Sequence, residues 1–199
     1  EIKSIDDVTN NNEFELSFNN DPNSQELPTK LNYIEPEDTE EDGPDAFEIE
    51  NVTTHGRHEY KVQDNSKLIV SIQLSMFCHI RAGSNDGGAL YIANAGLASQ
   101  DITFLNCSSD ARGGAIFYHN TYTTTNYVNV IRNNITECSA NLGGGMFIYS
   151  SNKKNRVTVL YCHFERNNGT AKKGTDEIYG GSGIFVACKN GRIKQNIFI

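Results

Sequence analysis

Tryptophan is absent from this chain of 199 residues, and proline, methionine and cysteine are scarce. All four prolines lie before residue 45, ahead of the part of the chain that is rich in β-branched and aromatic residues. The five cysteines are an odd number, form no C-x-x-C pair and show no Cys/His spacing of a zinc site. This usage excludes a disulfide-dense scaffold, and the sequence predicts no metal site and no cofactor.

Long apolar runs and helical periodicity are missing as well. No apolar stretch approaches the roughly 18 residues that span a bilayer, and no basic-then-apolar leader opens the chain. We therefore expect no direct membrane insertion in this segment. The chain begins with Glu1, and residues 196–199 read as the interior of a strand without a polar cap. Solenoids need capped ends, so we expect further coils or a partner beyond Ile199 and a C-terminal truncation of the repeat region.

Charge is distributed unevenly along the chain. Residues 1–65 carry 18 acidic and 4 basic side chains, a balance of −14, whereas residues 66–199 carry 7 and 13, a balance of +6. An acidic, Asn-rich segment repels itself and has little to bury. The sequence predicts two regions: an acidic, largely irregular or disordered segment over 1–57, and a repeat region over 58–199.

A glycine motif recurs through the repeat region. It is a glycine pair, or Gly-Ser-Gly, followed by a small or aliphatic residue and an aromatic one. The motif starts at Gly87, Gly113, Gly143 and Gly181, at separations of 26, 30 and 38 residues. Such spacing is typical of one supersecondary unit repeated with loop insertions.

A second landmark precedes each glycine motif and keeps the same drifting period. It is an eight-residue frame whose last residue is large and apolar, and the frames end at Phe77, Phe104, Ile135, Phe164 and Phe198. The units contain only short strand-like runs bounded by turn residues, with no segment long enough for a crossover helix. Strand-only units of this length predict an all-β fold, a right-handed parallel β-helix (solenoid) of about four to five coils.

Aligned glycine motifs produce an aromatic column between two aliphatic ones. The aromatic column consists of Tyr91, Phe117, Phe147 and Phe185. Successive residues of a strand face opposite sides, so the aliphatic columns and the aromatic column cannot both point inward. Aliphatic stacking suits a narrow interior, which predicts an aromatic ladder on the outer face as a binding surface. The alternative, rings in the core or beneath a loop, stays open.

Loop insertions fall at equivalent positions of successive coils and should project from one edge, as binding loops of repeat proteins do. The cations in the later loops are Lys153, Lys154, Arg156 and Lys189. They are candidates for binding anionic glycans or acidic partners, with ordinary solvated lysines as the alternative. Nucleic acid would require a denser basic stripe with interleaved aromatics, so we expect no nucleic-acid partner.

Cys107 and Cys138 each follow the end of a frame by three residues, which places them one above the other on adjacent coils. That separation permits a disulfide, and two reduced thiols in a column account for the spacing equally well. Four Asn-x-Ser/Thr sequons start at Asn51, Asn106, Asn134 and Asn168. Asn51 and Asn168 are the candidate glycosylation sites, because Asn106 and Asn134 adjoin predicted core positions.

Two short boxes carry a resemblance to a known family. Gly87 to Leu90 and Gly113 to Ile116 match a Gly-Gly-Ala-aliphatic box, and Phe164-Glu165-Arg166-Asn167 matches a Phe-x-x-Asn box. Cysteine replaces the asparagine at Cys107 and Cys138, and isoleucine replaces it at Ile80. Over about residues 68–199 the chain resembles the repeat of polymorphic outer membrane proteins, the β-helical passenger domains best known in chlamydial autotransporters. This resemblance implies a secreted or cell-surface β-helix acting in adhesion.

A carbohydrate-active β-helix, similar to polygalacturonases or pectate lyases, is the competing interpretation. Arg192-Ile193-Lys194 is similar to the Arg-x-Lys clamp of polygalacturonases, but their Asn-Thr-Asp and Asp-Asp motifs are absent. A glycosidase also needs two carboxyl groups about 5–9.5 Å apart across one bond. Asp86 and Asp110, near successive glycine corners, are the nearest approach to such a pair. The sequence thus favours a non-catalytic scaffold that binds glycans or a cell-surface protein, in an oligomeric state that the sequence leaves open.

Overall fold

The computed structural model describes residues 45–63, 67–170 and 181–199, together with two short strands at 13–15 and 30–32. The described residues are all-β and contain no helix. In chain order the strands are β1 (Glu13–Glu15), β2 (Lys30–Asn32), β3 (Asp45–Glu50), β4 (Thr53–Thr54), β5 (His58–Lys61), β6 (Leu68–Gln73), β7 (Met76–Cys78), β8 (Leu90–Ala93), β9 (Gly96–Gln100), β10 (Thr103–Leu105), β11 (Ile116–Asn120), β12 (Tyr127–Ile131), β13 (Asn134–Thr136), β14 (Ser139–Ala140), β15 (Met146–Ser150), β16 (Arg156–Leu160), β17 (His163–Glu165), β18 (Asn168–Gly169), β19 (Ile184–Ala187), β20 (Asn190–Lys194) and β21 (Ile197–Phe198).

Three parallel sheets run the length of the stack. Sheet 1 is β3-β6-β9-β12-β16-β20, sheet 2 is β4-β7-β10-β13-β17-β21, and sheet 3 is β5-β8-β11-β15-β19. The chain visits sheets 1, 2 and 3 in turn, so β3 to β5 form coil 1, β6 to β8 coil 2, β9 to β11 coil 3, β12 to β15 coil 4, β16 to β19 coil 5, and β20 and β21 coil 6. Each strand of these three sheets pairs in parallel with its counterparts on neighbouring coils. The predicted all-β parallel β-helix is confirmed.

The coil interior is built from columns of large apolar side chains. In sheet 2, Phe77, Phe104, Ile135 and Phe164 are in register and fully buried. The rings of Phe77 and Phe104 stack with centroids 5.1 Å apart. These are the frame-ending residues of the sequence, so the period found there corresponds to one turn of the coil.

Left-handed backbone conformations form the corners between the sheets. One column between sheets 1 and 2 has positive φ in every coil: Asn51, Leu74, Asp101, Arg132, Tyr161 and Gln195. The glycine corners also have positive φ at Gly87, Gly113 and Gly143. A Cβ on Gly113 would collide with the carbonyl group of Ile116, so the corner requires glycine for space as well as for conformation.

The β-helix begins earlier than the sequence indicated. β3 pairs with β6 from Asp45 to Glu50, inside the segment predicted to be irregular. Ile49 is buried while Glu48 and Glu50 are exposed, which is the alternation of a half-buried strand. The outward glutamates gave this stretch its acidic composition and concealed its apolar positions. Apart from β1 and β2, which pair antiparallel, residues 1–44 lie outside the described part of the chain.

Candidate functional site

The aromatic ladder exists and lies on the outer face of sheet 3. Register aligns Tyr91, Phe117, Phe147 and Phe185 on successive coils. Ring centroids are 5.2, 5.3 and 4.7 Å apart along the column, with interplanar angles of 19°, 11° and 6°. The residues before and after Phe117, Ile116 and Tyr118, belong to the buried interior, so the ladder points away from it.

The middle of this ladder is not exposed, and that part of the prediction is wrong. Phe117 is 1% and Phe147 6% accessible, while Tyr91 and Phe185 are half-buried. The guanidinium carbon of Arg112 lies 4.8 Å from the Phe117 ring centroid and 5.5 Å from that of Phe147. The rings are thus buried outside the coil interior, in contact with a cation, rather than presented to a ligand.

Ion pairs hold these cations in place. Asp86 accepts hydrogen bonds from the backbone N–H and the Nε of Arg112, at 3.1 and 2.9 Å. At the other end of the ladder, Arg57 and Lys61 lie over the Tyr91 ring at 5.3 and 5.1 Å, and both pair with Glu59. Burial alone would raise the pKa of Glu59, but hydrogen bonds from Lys61 and Arg57 outweigh it and lower that pKa. Cations held by ion pairs therefore lie over the Tyr91, Phe117 and Phe147 rings of the aromatic ladder.

The four loop cations, in contrast, are exposed and close together. Lys153, Lys154, Arg156 and Lys189 all lie on the surface where sheet 3 leads into sheet 1, in coils 5 and 6. Arg156 pairs with Asn190, the residue after Lys189, and the Asn190 amide donates to the carbonyl of Lys153 at 2.8 Å. None of the four forms an ion pair with another described residue. Lys172 and Lys173, which the sequence places in a second loop insertion, lie outside the described residues.

Asparagine side chains fix the loop that carries Lys153 and Lys154. The Asn152 amide donates to the carbonyls of Tyr122, Thr123 and Thr124 in the coil below, at 3.2, 2.8 and 2.9 Å. Its Oδ1 accepts from the backbone N–H of Lys154 at 2.9 Å. Lys153 and Lys154 thus project from a loop whose backbone is bonded to the neighbouring coil.

Sequence reasoning missed two further members of this basic surface. Arg192 and Lys194 were considered only as a candidate clamp, yet both are exposed on the outer face of β20. Register places Arg192 beside Thr158 and Lys194 beside Leu160, on the same side of sheet 1 as Arg156. Tyr127, half exposed, lies in the column one coil below Arg156. The missing signal was the register, which aligns 156, 158 and 160 with 190, 192 and 194.

Four of the five carboxylates described between residues 86 and 165 are engaged in ion pairs. Asp86 holds Arg112, Asp101 holds Arg132 through two contacts of 2.8 Å, and Glu137 and Glu165 both contact Arg166. The Arg132 guanidinium lowers the pKa of Asp101 through its hydrogen bonds. Asp110 is exposed and forms no ion pair with a described residue, whereas Asp86 is paired with Arg112. Asp176 and Glu177 lie outside the described residues.

Cys107 and Cys138 are stacked as expected and are free thiols in the structure. Both are fully buried, and each Sγ lies near backbone carbonyls, Cys107 3.5 Å from that of Leu105 and Cys138 3.4 Å from that of Thr136. A hydrogen bond involving Cys138, together with burial, raises the pKa of Cys107 well above its ordinary value. This column of thiols is one of the two alternatives that the sequence left open, and a disulfide between the two cysteines stays a prediction.

All four sequon asparagines are exposed. Asn51 and Asn168 are accessible, and so are Asn106 and Asn134, although both adjoin core positions as the sequence indicated. Asn134 begins β13 with its side chain outward, while the next residue, Ile135, points into the core. Strand alternation thus separates the two neighbours.

The geometry defines the class of the protein: a parallel β-helix whose outer surface offers one basic end and one charge-covered aromatic ladder. No family model matches the chain, and neither a curated protein nor a solved structure matches it. Within the described ranges, no three His, Cys, Asp or Glu side chains are grouped so that they could hold a metal ion. The same residues include no helix of the length and apolarity that crossing a membrane requires.

Proposed function

We propose that the chain is a non-catalytic β-helix scaffold, secreted or displayed on a cell surface, that binds glycans or a host or partner protein in the manner of an adhesin. The observation that carries this proposal is the group of exposed cations on coils 5 and 6 that form no ion pair with a described residue, in particular Lys153, Lys154, Arg156 and Lys189. Exposed charge that no described side chain neutralises is available to an external partner.

The rigidity of the stack supports a role in display. Each strand is hydrogen-bonded along both edges in the middle coils, and the side chains of Asn152 and Asn155 bond their loop to the neighbouring coil. Side chains on such a framework hold fixed mutual positions, so a partner pays little for ordering the protein on binding.

Membership of the polymorphic outer membrane protein repeat family is part of the proposal. It is supported by the structural roles of the two boxes: the glycine pairs form the sheet 3 corners, and Asn167 bridges two coils. Exposed sequons are compatible with secretion, and neither nucleic acid nor membrane insertion is part of the proposed activity.

The enzymatic alternative has one supporting feature, the exposed Arg192 and Lys194 of the Arg-x-Lys sequence. Their register neighbours are Thr158 and Leu160, and no described carboxylate lies on the outer faces of β12, β16 and β20. Hydrolysis would lack its acid and base there.

Binding and turnover assays separate the two possibilities. Incubation with polygalacturonate, followed by reducing-end and unsaturated-uronide measurements, should show no products, while a glycan array and a cell-binding assay should give signal. Product formation above that of a heat-denatured sample would refute the scaffold proposal, as would absence of binding in both binding assays.

A further inference from the structure

We infer that the outer face of sheet 1 over coils 4 to 6 is a binding strip for a linear anionic polysaccharide that lies across the helix axis, parallel to the strands. This inference rests on the proposed function and names its ligand class and binding surface. The strip consists of the exposed residues Tyr127, Lys153, Lys154, Arg156, Tyr161, Lys189, Arg192 and Lys194.

The charge of the strip is of one sign. Its six cations make no ion pair with a described residue, and the strands β12, β16 and β20 contain no acidic residue. The connecting loop residues 121–126, 151–155 and 188–189 are equally free of acids. Elsewhere in the described repeat region Arg112, Arg132 and Arg166 are each paired with a carboxylate, and the exposed Arg81 stands apart from other unpaired cations of its sheet face. This surface is therefore the one described region where several cations remain available together.

Charge changes along the axis, and that change sets the orientation of the ligand. The outer positions of sheet 1 carry Glu48 and Glu50 in coil 1, uncharged residues in coils 2 to 4, and cations in coils 5 and 6. A polyanion that followed the axis would run from the cations onto the glutamates. A polyanion that follows the strands remains among cations, since Asn190 to Lys194 spans about 13 Å at the rise of a β-strand.

Two tyrosines favour a sugar over an acidic protein. Tyr127 is 50% accessible and lies in the column of Arg156, at the loop end of the strip. Tyr161 is 53% accessible at the corner that follows Leu160, beyond the position of Lys194. Aromatic faces beside cations suit rings that carry both C–H groups and anionic substituents. The face between them carries Asn129 and Thr158, whose side chains offer hydrogen bonds to sugar hydroxyl groups.

The strip does not depend on what adjoins coil 6. A further coil would stack on the free edge of β20, whereas the cations project from the outer face. The backbone of β20 would make the hydrogen bonds to such a coil, and the side chains of Arg192 and Lys194 would remain accessible.

The test measures binding of immobilised chain to heparin, to polygalacturonate and to neutral dextran across a salt series. The strip variant is Arg192→Gln with Lys194→Gln, and the matched control is Lys67→Gln with Arg81→Gln, which removes two exposed cations from coil 2. We expect the native chain to bind one or both anionic glycans in a salt-sensitive manner and dextran not at all. The strip variant should lose about tenfold in affinity and the control less than about twofold.

Three further comparisons decide orientation and ligand class. Glu48→Gln with Glu50→Gln should leave affinity within about twofold, because those carboxylates lie four coil spacings, about 19 Å, from coil 5; a clear gain would contradict the crosswise orientation.

Tyr127→Ser should weaken glycan binding, and poly-glutamate and single-stranded DNA should bind more weakly than the anionic glycans. If poly-glutamate or single-stranded DNA binds more tightly than the anionic glycans, the proposed ligand class is wrong and that polymer's class takes its place.

The outcomes for the strip and for the scaffold are distinct. If the strip variant binds anionic glycans as tightly as the native chain, the binding strip is wrong and the scaffold proposal is unaffected. The same conclusion follows if the native chain binds only neutral glycans. No binding to any glycan or cell surface overturns both. Unchanged circular dichroism and thermal midpoints of the variants show that lost binding is not lost folding.

Discussion

The side-chain amide of Asn167 connects two coils at the backbone of Cys138. Its Oδ1 accepts from the N–H of Cys138 at 2.9 Å, and its Nδ2 donates to the carbonyl of Ile135 at 2.7 Å. Asn133 and Asn196 make equivalent bonds at the corner between sheets 1 and 2, to the N–H of Ile102 and of Cys162. Corner N–H groups that the ladder leaves unpaired are thus satisfied by asparagines of the next coil.

Asn167→Ala should destabilise the chain by about 1–3 kcal/mol. The substitution leaves the N–H of Cys138, a fully buried residue, without its partner, and an unsatisfied buried donor carries its full desolvation penalty. Urea denaturation followed by circular dichroism measures the free energy of unfolding. Asn168→Ala, an exposed neighbour, is the matched control and should change it by less than about 0.5 kcal/mol. Equal effects of the two substitutions would contradict the bridging role.

Gly114→Ala should destabilise the fold by about 3 kcal/mol or more, or prevent folding. A Cβ at Gly114 would overlap the carbonyl oxygen of Gly144 and the backbone of Ser139, neither of which can move without breaking the ladder. Gly83→Asn serves as the control, since a Cβ at Gly83 meets nothing within 4 Å and asparagine tolerates its positive φ of 57°. The measurement is the same denaturation experiment. A mild effect at Gly114 would show that the corners are not packed as described.

Acidification should weaken the fold through His58. This imidazole is 4% accessible, lies 3.4 Å from both Tyr60 Oη and Thr54 Oγ1, and packs edge-on against Phe77. Burial lowers its pKa from 6.5 to about 4. The unfolded chain therefore takes up this proton first, and the stability of the neutral form is intact above pH 6.5 and lost as the pH falls towards 4.

Protonation of His58 should lower the free energy of unfolding by about 3 kcal/mol in total, because each pKa unit between the unfolded and folded states corresponds to about 1.36 kcal/mol. Comparing His58→Gln with the native chain at about pH 7 and about pH 4 isolates it from the carboxylates. The variant should lose less stability on acidification by roughly that amount. Parallel pH profiles for the two proteins would mean that His58 is not buried in neutral form.

The thiols should react in a fixed order. Cys78, Cys107, Cys138 and Cys162 are buried, and Cys188 is partly accessible. Burial raises the pKa of Cys162 to about 11, which suppresses its thiolate at neutral pH as well. A thiol reagent should therefore modify Cys188 first and all five after denaturation. An intact mass lower by about two protons without reductant, together with linked Cys107 and Cys138 peptides in a non-reduced digest, would reveal a Cys107–Cys138 disulfide instead.

Much of the fold could be predicted because the residues that repeat once per coil each have a single structural role. The frame-ending Phe77 and Phe104 form an interior column, and Gly87 and Gly113 form corners that no other residue fits. β3 escaped prediction because composition was averaged over a segment whose apolar positions alternate with glutamates. The alternation of apolar and acidic residues in β3 became recognisable as a strand only from its pairing with β6.

The candidate surface was less predictable, since exposure depends on contacts between coils. Nothing near Phe117 in the sequence shows that Arg112 covers the ring, because Asp86 of the previous coil holds that guanidinium. Arg192 and Lys194 likewise join the basic strip only through the register of β20 on β16.

Nuclear Overhauser spectroscopy of the isotopically labelled chain tests the central claim most directly. The parallel stack predicts contacts between the backbone protons of Phe104 and those of Phe77 and Ile135, and between the Phe117 ring and the rings of Tyr91 and Phe147. Backbone contacts of antiparallel form between β10 and β13, or no contact between these strands, would contradict the β-helix and with it the binding strip.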